Sequence, residues 1–178
     1  MRKLKNSELG RLTTEEFKKV KKTPVVVILD NVRSMHNIGS VFRTSDAFLV
    51  EAIYLCGITS KPPHKDIHKT ALGATESVDW YYYKNTIDLV SMLKQKDYAI
   101  VAVEQTTESI SLQDFRIDRS GKYAFIFGHE IRGVDQKVID LCDMSLVIPQ
   151  QGTKHSLNIS VTAGLVLWEV FRQFNWNQ

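Results

Sequence analysis

The chain has 178 residues, 43% of them hydrophobic, with 23 Lys and Arg against 20 Asp and Glu and a formal charge of +3. That is the size of one compact domain able to bury its own core. No run approaches the ~18 uninterrupted apolar residues of a membrane span, and the opening MRKLKNSELG lacks an apolar export segment, so a cytoplasmic protein with no membrane partner is expected.

Residues 1–22 carry eight Lys and Arg against Glu8, Glu15 and Glu16, a net of +5, and the 15 basic and 17 acidic residues that follow leave −2. A basic arm on a near-neutral body suits a phosphate-bearing partner, although a solvated helix explains the same charge. Thr13 to Glu16 has the spacing of a capping box, which predicts a short helix to about Lys22, stopped by Pro24. The chain is therefore divided into a basic helical arm, residues 1–22, and a domain over residues 23–178.

In chain order, strands are predicted at Val25–Leu29, Ala52–Cys56, Tyr98–Val103, Tyr123–Phe127 and Ser145–Ile148. Helices are predicted at Ile38–Phe48, Thr86–Lys96, about Asp135–Leu141 and Leu157–Phe174. Near-continuous apolar runs separated by helices imply an α/β fold, a mostly parallel sheet with helices on both faces. The last helix is apolar around most of its circumference, through Leu157, Val161, Leu165, Val166, Trp168, Val170 and Phe171. Either a central core helix or a helix shared with a second subunit accounts for that.

Ligands in this architecture bind at the C-terminal ends of the strands, and three loops there are unusual. Asp30 to Ser40 leads into a helix bearing Arg43, with Asn37 as N-cap and Gly39 and Ser40 in a first turn whose amides could hold an anion. Phe127-Gly128-His129-Glu130-Ile131-Arg132-Gly133 follows a strand, its glycines permitting close backbone approach. Ile148 to Ser160 is a polar loop that puts Ser156, Asn158 and Ser160 at the start of the long helix. Ordinary turns and caps explain each loop taken alone. Cys56 and Cys142 are expected to be free thiols, and neither they nor the five histidines have metal-ligand spacing, so no metal is expected. His64 and His68 are four apart, but Pro62-Pro63 beside them points to a loop.

Together, Asn31…Asn37-Ile-Gly…Arg43-Thr44, then Phe127-Gly128-His-Glu130-Ile-Arg-Gly133, then Ile148-Pro149…Ser156-Leu157-Asn158-Ile-Ser160 resemble the three signature motifs of the SpoU (TrmH) branch of the SPOUT RNA methyltransferases. The likeness runs from about Val25 to Phe174. It implies a SPOUT-type fold with a C-terminal trefoil knot, a homodimer, and S-adenosyl-L-methionine held by backbone groups at Val103, Gly128, Ile148, Ser156 and Leu157. It implies methyl transfer to a ribose 2′-hydroxyl of a structured RNA. Arg43 would clamp the adjoining phosphate and stabilise the forming alkoxide, because a guanidinium stays protonated at neutral pH and makes a poor base. Asn37, Glu130, Ser156 and Asn158 would orient Arg43 and the ribose. Val103-Glu104-Gln105-Thr106 and the Ile148–Gly152 loop look most like enzymes acting on a D-loop guanosine of transfer RNA. Ribosomal RNA members share the motifs, and a non-catalytic RNA-binding module of the same fold is the alternative from another class.

Overall fold

The computed structural model describes residues 1–176. A 3-10 turn, Asn6–Glu8, and helix α1, Thr14–Lys19, precede β1, Thr23–Asp30. The chain continues through α2 (Met35–Ala47), β2 (Val50–Cys56), α3 (Lys65–Ala71), α4 (Ala74–Ser77), β3 (Asp79–Tyr83), α5 (Thr86–Lys94) and β4 (Tyr98–Val103). It ends with β5 (Ile110–Ser111), β6 (Lys122–Phe127), α6 (Gln136–Ile139), β7 (Met144–Val147) and α7 (Ile159–Trp176). The seven strands among the described residues are all parallel, in the order β3-β2-β1-β6-β4-β7-β5.

The α/β class follows from how the strands are buried. From Val25 to Leu29 every side chain of β1 is at most 1% exposed, as expected of a central strand covered on both faces. Val25, Val27 and Leu29 face a core completed by Phe42 of α2, Ile67 of α3 and Val166 of α7. Val26 and Ile28 face a second core with Leu89 and Leu93 of α5 and Val138 of α6. The arm is anchored to the first core by Phe17, 4% exposed, and the expected capping box between Thr13 and Glu16 is formed.

Several boundaries differ from expectation. Ser34, not Asn37, caps α2, its hydroxyl accepting the Asn37 N–H at 3.3 Å, so Asn37 sits within the first turn. Helix α7 begins at Ile159 rather than Leu157, because Asn158 Oδ1 accepts the Ser160 N–H at 2.9 Å and breaks off the extended loop there. The segment after Pro62-Pro63 is helical: His64 Nδ1 accepts the Asp66 N–H and caps α3, and His68 lies inside it. Strand β3, DWYYY, lies at the sheet edge with mostly exposed side chains; its aromatic run, of high strand propensity, was the signal that sequence reasoning passed over.

Helix α7 has two faces. Ala163, Val166 and Val170 are at most 1% exposed, whereas Val161, Leu165 and Trp168 are exposed by 51%, 42% and 40%. Buried Gln173 joins the helix to the return segment before β6, its amide donating to Phe115 O at 2.9 Å and accepting the Ile117 N–H at 3.0 Å.

Candidate active site

The C-terminal ends of β4, β6 and β7 are neighbours in the sheet, and the chain after each bends around one cavity of about 490 Å3. Val103 enters from β4, Gly128 from β6 and Ile148 from β7, while Ser156 and Leu157 close it from the loop before α7. Glu130 and Asn158 also line it; Asn37 and Arg43 are not on its wall. The volume is in the range of small-molecule sites.

The loop after β6 is built to lie flat. A Cβ on Gly128 would overlap the Gly133 carbonyl carbon and the Val134 nitrogen, so the backbone closes on itself where any larger residue would hold it open. His129 and Gly133 exchange backbone hydrogen bonds, His129 N–H to Gly133 O at 3.0 Å and Gly133 N–H to His129 O at 2.8 Å, and Gly133 takes φ 67°. Glu104, the residue after Val103, pins the loop from the β4 side: its carboxylate accepts the Val134 N–H and the Gln105 N–H, each at 2.9 Å. Sequence reasoning missed this anchor; its signal was an acid directly after a strand that ends in the site.

Glu130 reaches across to the loop after β1. Its two oxygens accept the Ser34 N–H at 2.9 Å and the Arg33 N–H at 3.1 Å. Burial pushes its pKa up, but these two amides, its own backbone N–H and the Asn37 side chain outweigh burial and hold it below the ordinary value. These two amides precede α2; the Gly39 and Ser40 amides expected to be free for an anion lie inside the helix, which starts at Met35. Asn158 makes the third connection: its amide donates to Asn37 Oδ1 at 3.1 Å while its Oδ1 caps α7. Glu130, Asn37 and Asn158 therefore join the loops after β1, β6 and β7 into one network.

Gly39 has a different duty from that expected. A Cβ there would overlap Thr70 and the Ile67 carbonyl, so this glycine lets α3 pack against α2. Arg43 is exposed one and a half turns past Asn37, and no hydrogen bond or ion pair ties its guanidinium to another described residue. Ser156 is exposed at the cavity mouth.

A family model described as the SpoU rRNA methylase family matches residues 24–168. The chain belongs to the SpoU rRNA methylase family. It is 32% identical over 156 residues to a Staphylococcus saprophyticus protein named for the TrmH family of tRNA/rRNA methyltransferases, covering 87% of this chain and 61% of that one. The chain thus spans about three fifths of the length of the staphylococcal relatives it matches. Among solved structures, the A. aeolicus TrmH/SpoU tRNA modifying enzyme superposes with a TM-score of 0.78 at 28% identity, covering 90% of this chain and 79% of that one. The AdoMet-bound rRNA methyltransferase of Sinorhizobium meliloti gives 0.78 at 25% identity, covering 88% and 59%. As in these SpoU structures, the fold is an α/β fold on a parallel sheet. Among the described residues no group of His, Cys, Asp and Glu could hold a metal ion, and no helix is long and apolar enough to cross a membrane.

Proposed function

We propose that this chain binds S-adenosyl-L-methionine in the β4–β6–β7 cavity and methylates a ribose 2′-hydroxyl of RNA as a homodimer. The observation that carries the reading is the convergence of three separate loops on one cavity, locked together by Glu130, Asn37 and Asn158. The AdoMet-bound state of the Sinorhizobium relative supports the cofactor, and the tRNA and rRNA names of the relatives support an RNA substrate.

The cavity suits the cofactor on its own merits. The Gly128–Gly133 turn closes tightly on its own backbone at the β6 end, and the strand ends at Val103 and Ile148 offer backbone donors and acceptors. These groups, with Gly128, Ser156 and Leu157, would hold it. When bound it supplies a methyl group on a sulfonium, ready for in-line attack. The protein's task is then to align the 2′-oxygen and stabilise it as its proton leaves. Asn158 and Ser156 orient the ribose at the mouth; Asn37, held by Glu130 and Asn158, fixes the first turn of α2 and so the direction of Arg43. Arg43 clamps the phosphate and stabilises the alkoxide, while proton loss runs through that phosphate or water.

Arg43 lies outside the wall of its own cavity, which favours delivery to the site of a second subunit. The exposed stripe Val161, Leu165 and Trp168 on α7 is the surface we assign to that contact. We further infer that the insertion of β6 between β1 and β4, and of β7 between β4 and β5, accompanies a trefoil knot closed by α7. A transfer RNA guanosine is the favoured target, a ribosomal RNA the second. Incubation with radiolabelled cofactor and bulk transfer or ribosomal RNA from a strain lacking the gene, followed by mapping, tests this. Label on a ribose of transfer RNA is expected; label on a base, or on no RNA despite cofactor binding, would overturn it.

A further inference from the structure

We infer that residues 57–72, together with Tyr82 and Lys84, form a docking surface for a single-stranded stretch of RNA that flanks the nucleotide to be methylated. The inference rests on the proposed RNA substrate and adds where that RNA is gripped outside the reacting site.

The surface lies on the same end of the sheet as the cavity. Gly57–Lys61 leaves the C-terminal end of β2, Lys84 leaves that of β3, and Arg33 that of β1, and these three strands are adjacent. Within residues 57–72 the formal charges are Lys61, Lys65 and Lys69 against Asp66 alone, in a body that is otherwise slightly acidic. Lys61, Lys65, Lys84 and Arg33 are all exposed. Apolar groups are interleaved: Ile58 is 59% and Tyr82 40% exposed. Lys61 Nζ sits 4.3 Å from the centre of the Tyr82 ring, and the Tyr82 hydroxyl donates to Gly57 O at 3.0 Å, which fixes the ring's edge. Cations beside an anchored, exposed ring match what an unpaired nucleotide offers, a phosphate and a π-face. A base would displace the flexible lysine from the ring, and the ammonium would then meet the adjoining phosphate.

This surface is also rigidly tied to the first loop of the site. Asn31 Oδ1 accepts the Ile58 N–H at 3.2 Å, Thr59 Oγ1 donates to Leu29 O at 2.9 Å and accepts the Val32 N–H at 3.0 Å, and Thr70 Oγ1 donates to His36 O at 2.9 Å. Asn31 takes φ 59°, an uncommon conformation for a residue with a side chain, to make the turn these bonds require. RNA held on the surface is thereby held in register with Asn37 and Arg43.

The test uses the full chain, a fluorescein-labelled uridine oligonucleotide and a transcribed transfer RNA, with anisotropy read between about 50 and 200 mM salt. Replacing Lys61, Lys65 and Lys84 together by Gln should reduce the salt slope for the oligonucleotide by about 2, the value for three lost phosphate contacts. Tyr82→Leu should weaken oligonucleotide binding by roughly five- to a hundredfold, while Tyr82→Phe, which keeps the ring but loses its anchor on Gly57 O, should weaken it by clearly less. Calorimetric cofactor affinity should be unchanged in all three, which also verifies their folding. Wild-type affinity and slope in the lysine variant, or full affinity in Tyr82→Leu, would overturn the inference while leaving methyl transfer intact. Wild-type protein that binds the cofactor but neither RNA would overturn the proposed function itself.

Discussion

At the scale of single residues, the site is organised by side chains that mostly hold backbone. Glu130 is the clearest case. In Glu130→Gln one acceptor oxygen becomes an NH2 group facing the Arg33 or Ser34 N–H, donor against donor. Methyl transfer is expected to fall by about 10- to 100-fold through misplacement of the first loop, with cofactor affinity nearly unchanged. The same residue gives a pH signature. Because its folded pKa is lowered, its stabilising contribution is fully present above pH about 4.5 and lost as pH falls through the folded value. The gap in urea midpoint between wild type and Glu130→Gln should be constant above that pH and close below it. Gly128→Ala, whose Cβ meets backbone on the facing strand of the turn, should cost about 1–3 kcal/mol, lower Tm by about 2–10 °C and weaken cofactor binding in calorimetry. The sequence made Glu130, Asn37 and Asn158 visible as polar residues in loops; who bonds to whom was hidden, because the partners are about 95 and 120 residues apart.

At the scale of elements, legibility followed burial. β1, β4 and β6 are buried on both faces and read directly as apolar runs. β3 and the two-residue β5 are edge strands, where pairing is set by a neighbour rather than by their own pattern. α3 was hidden behind two prolines that in fact stop just before its cap. Helix α7 was legible as apolar around most of its circumference, which left a core helix and a shared helix both open; the structure divides that circumference, with Val161 and Leu165 pointing away from the core. A charge at both positions should spare the fold and abolish association: Val161→Glu/Leu165→Glu is expected to elute and scatter light as a monomer with near-wild-type Tm. A dimer of unchanged stability would move the subunit contact elsewhere.

At the scale of the whole molecule, the distance between charge and chemistry matters. The basic arm leads into the N-terminal end of β1, opposite the strand ends that form the cavity. We propose that it acts as a remote phosphate contact on a large RNA, with its end separable from its anchor. Deleting residues 1–12, which leaves Phe17 in the core, should flatten the salt dependence of RNA binding and leave cofactor affinity unchanged. A composite site makes the sharpest demand on the assembly. Arg43→Ala and Asn158→Ala should each lose most methyl transfer, Arg43→Ala with cofactor binding intact. Random subunit exchange between them should then restore roughly a quarter of wild-type activity, since half the dimers are mixed and each has one intact site of two. No recovery after exchange verified by mass spectrometry would place Arg43 in its own chain's site.

The position of β6 has a consequence for how the molecule is made. Its residues 123–127 lie between β1 and β4, pairing Val25 with Tyr123 and Ile100 with Ala124. A nascent chain that has delivered everything up to β5 holds one three-stranded fragment, β3-β2-β1, with an open apolar edge at β1, and two single strands, β4 and β5, that have no neighbour until β6 and β7 arrive. Closure waits for the last third of the polypeptide. Such non-local pairing makes for slow maturation and a long interval in which exposed strand edges can associate wrongly. Chains truncated before Lys122 are expected to remain molten or aggregate, with dispersed amide resonances appearing only once β6 and α7 are present.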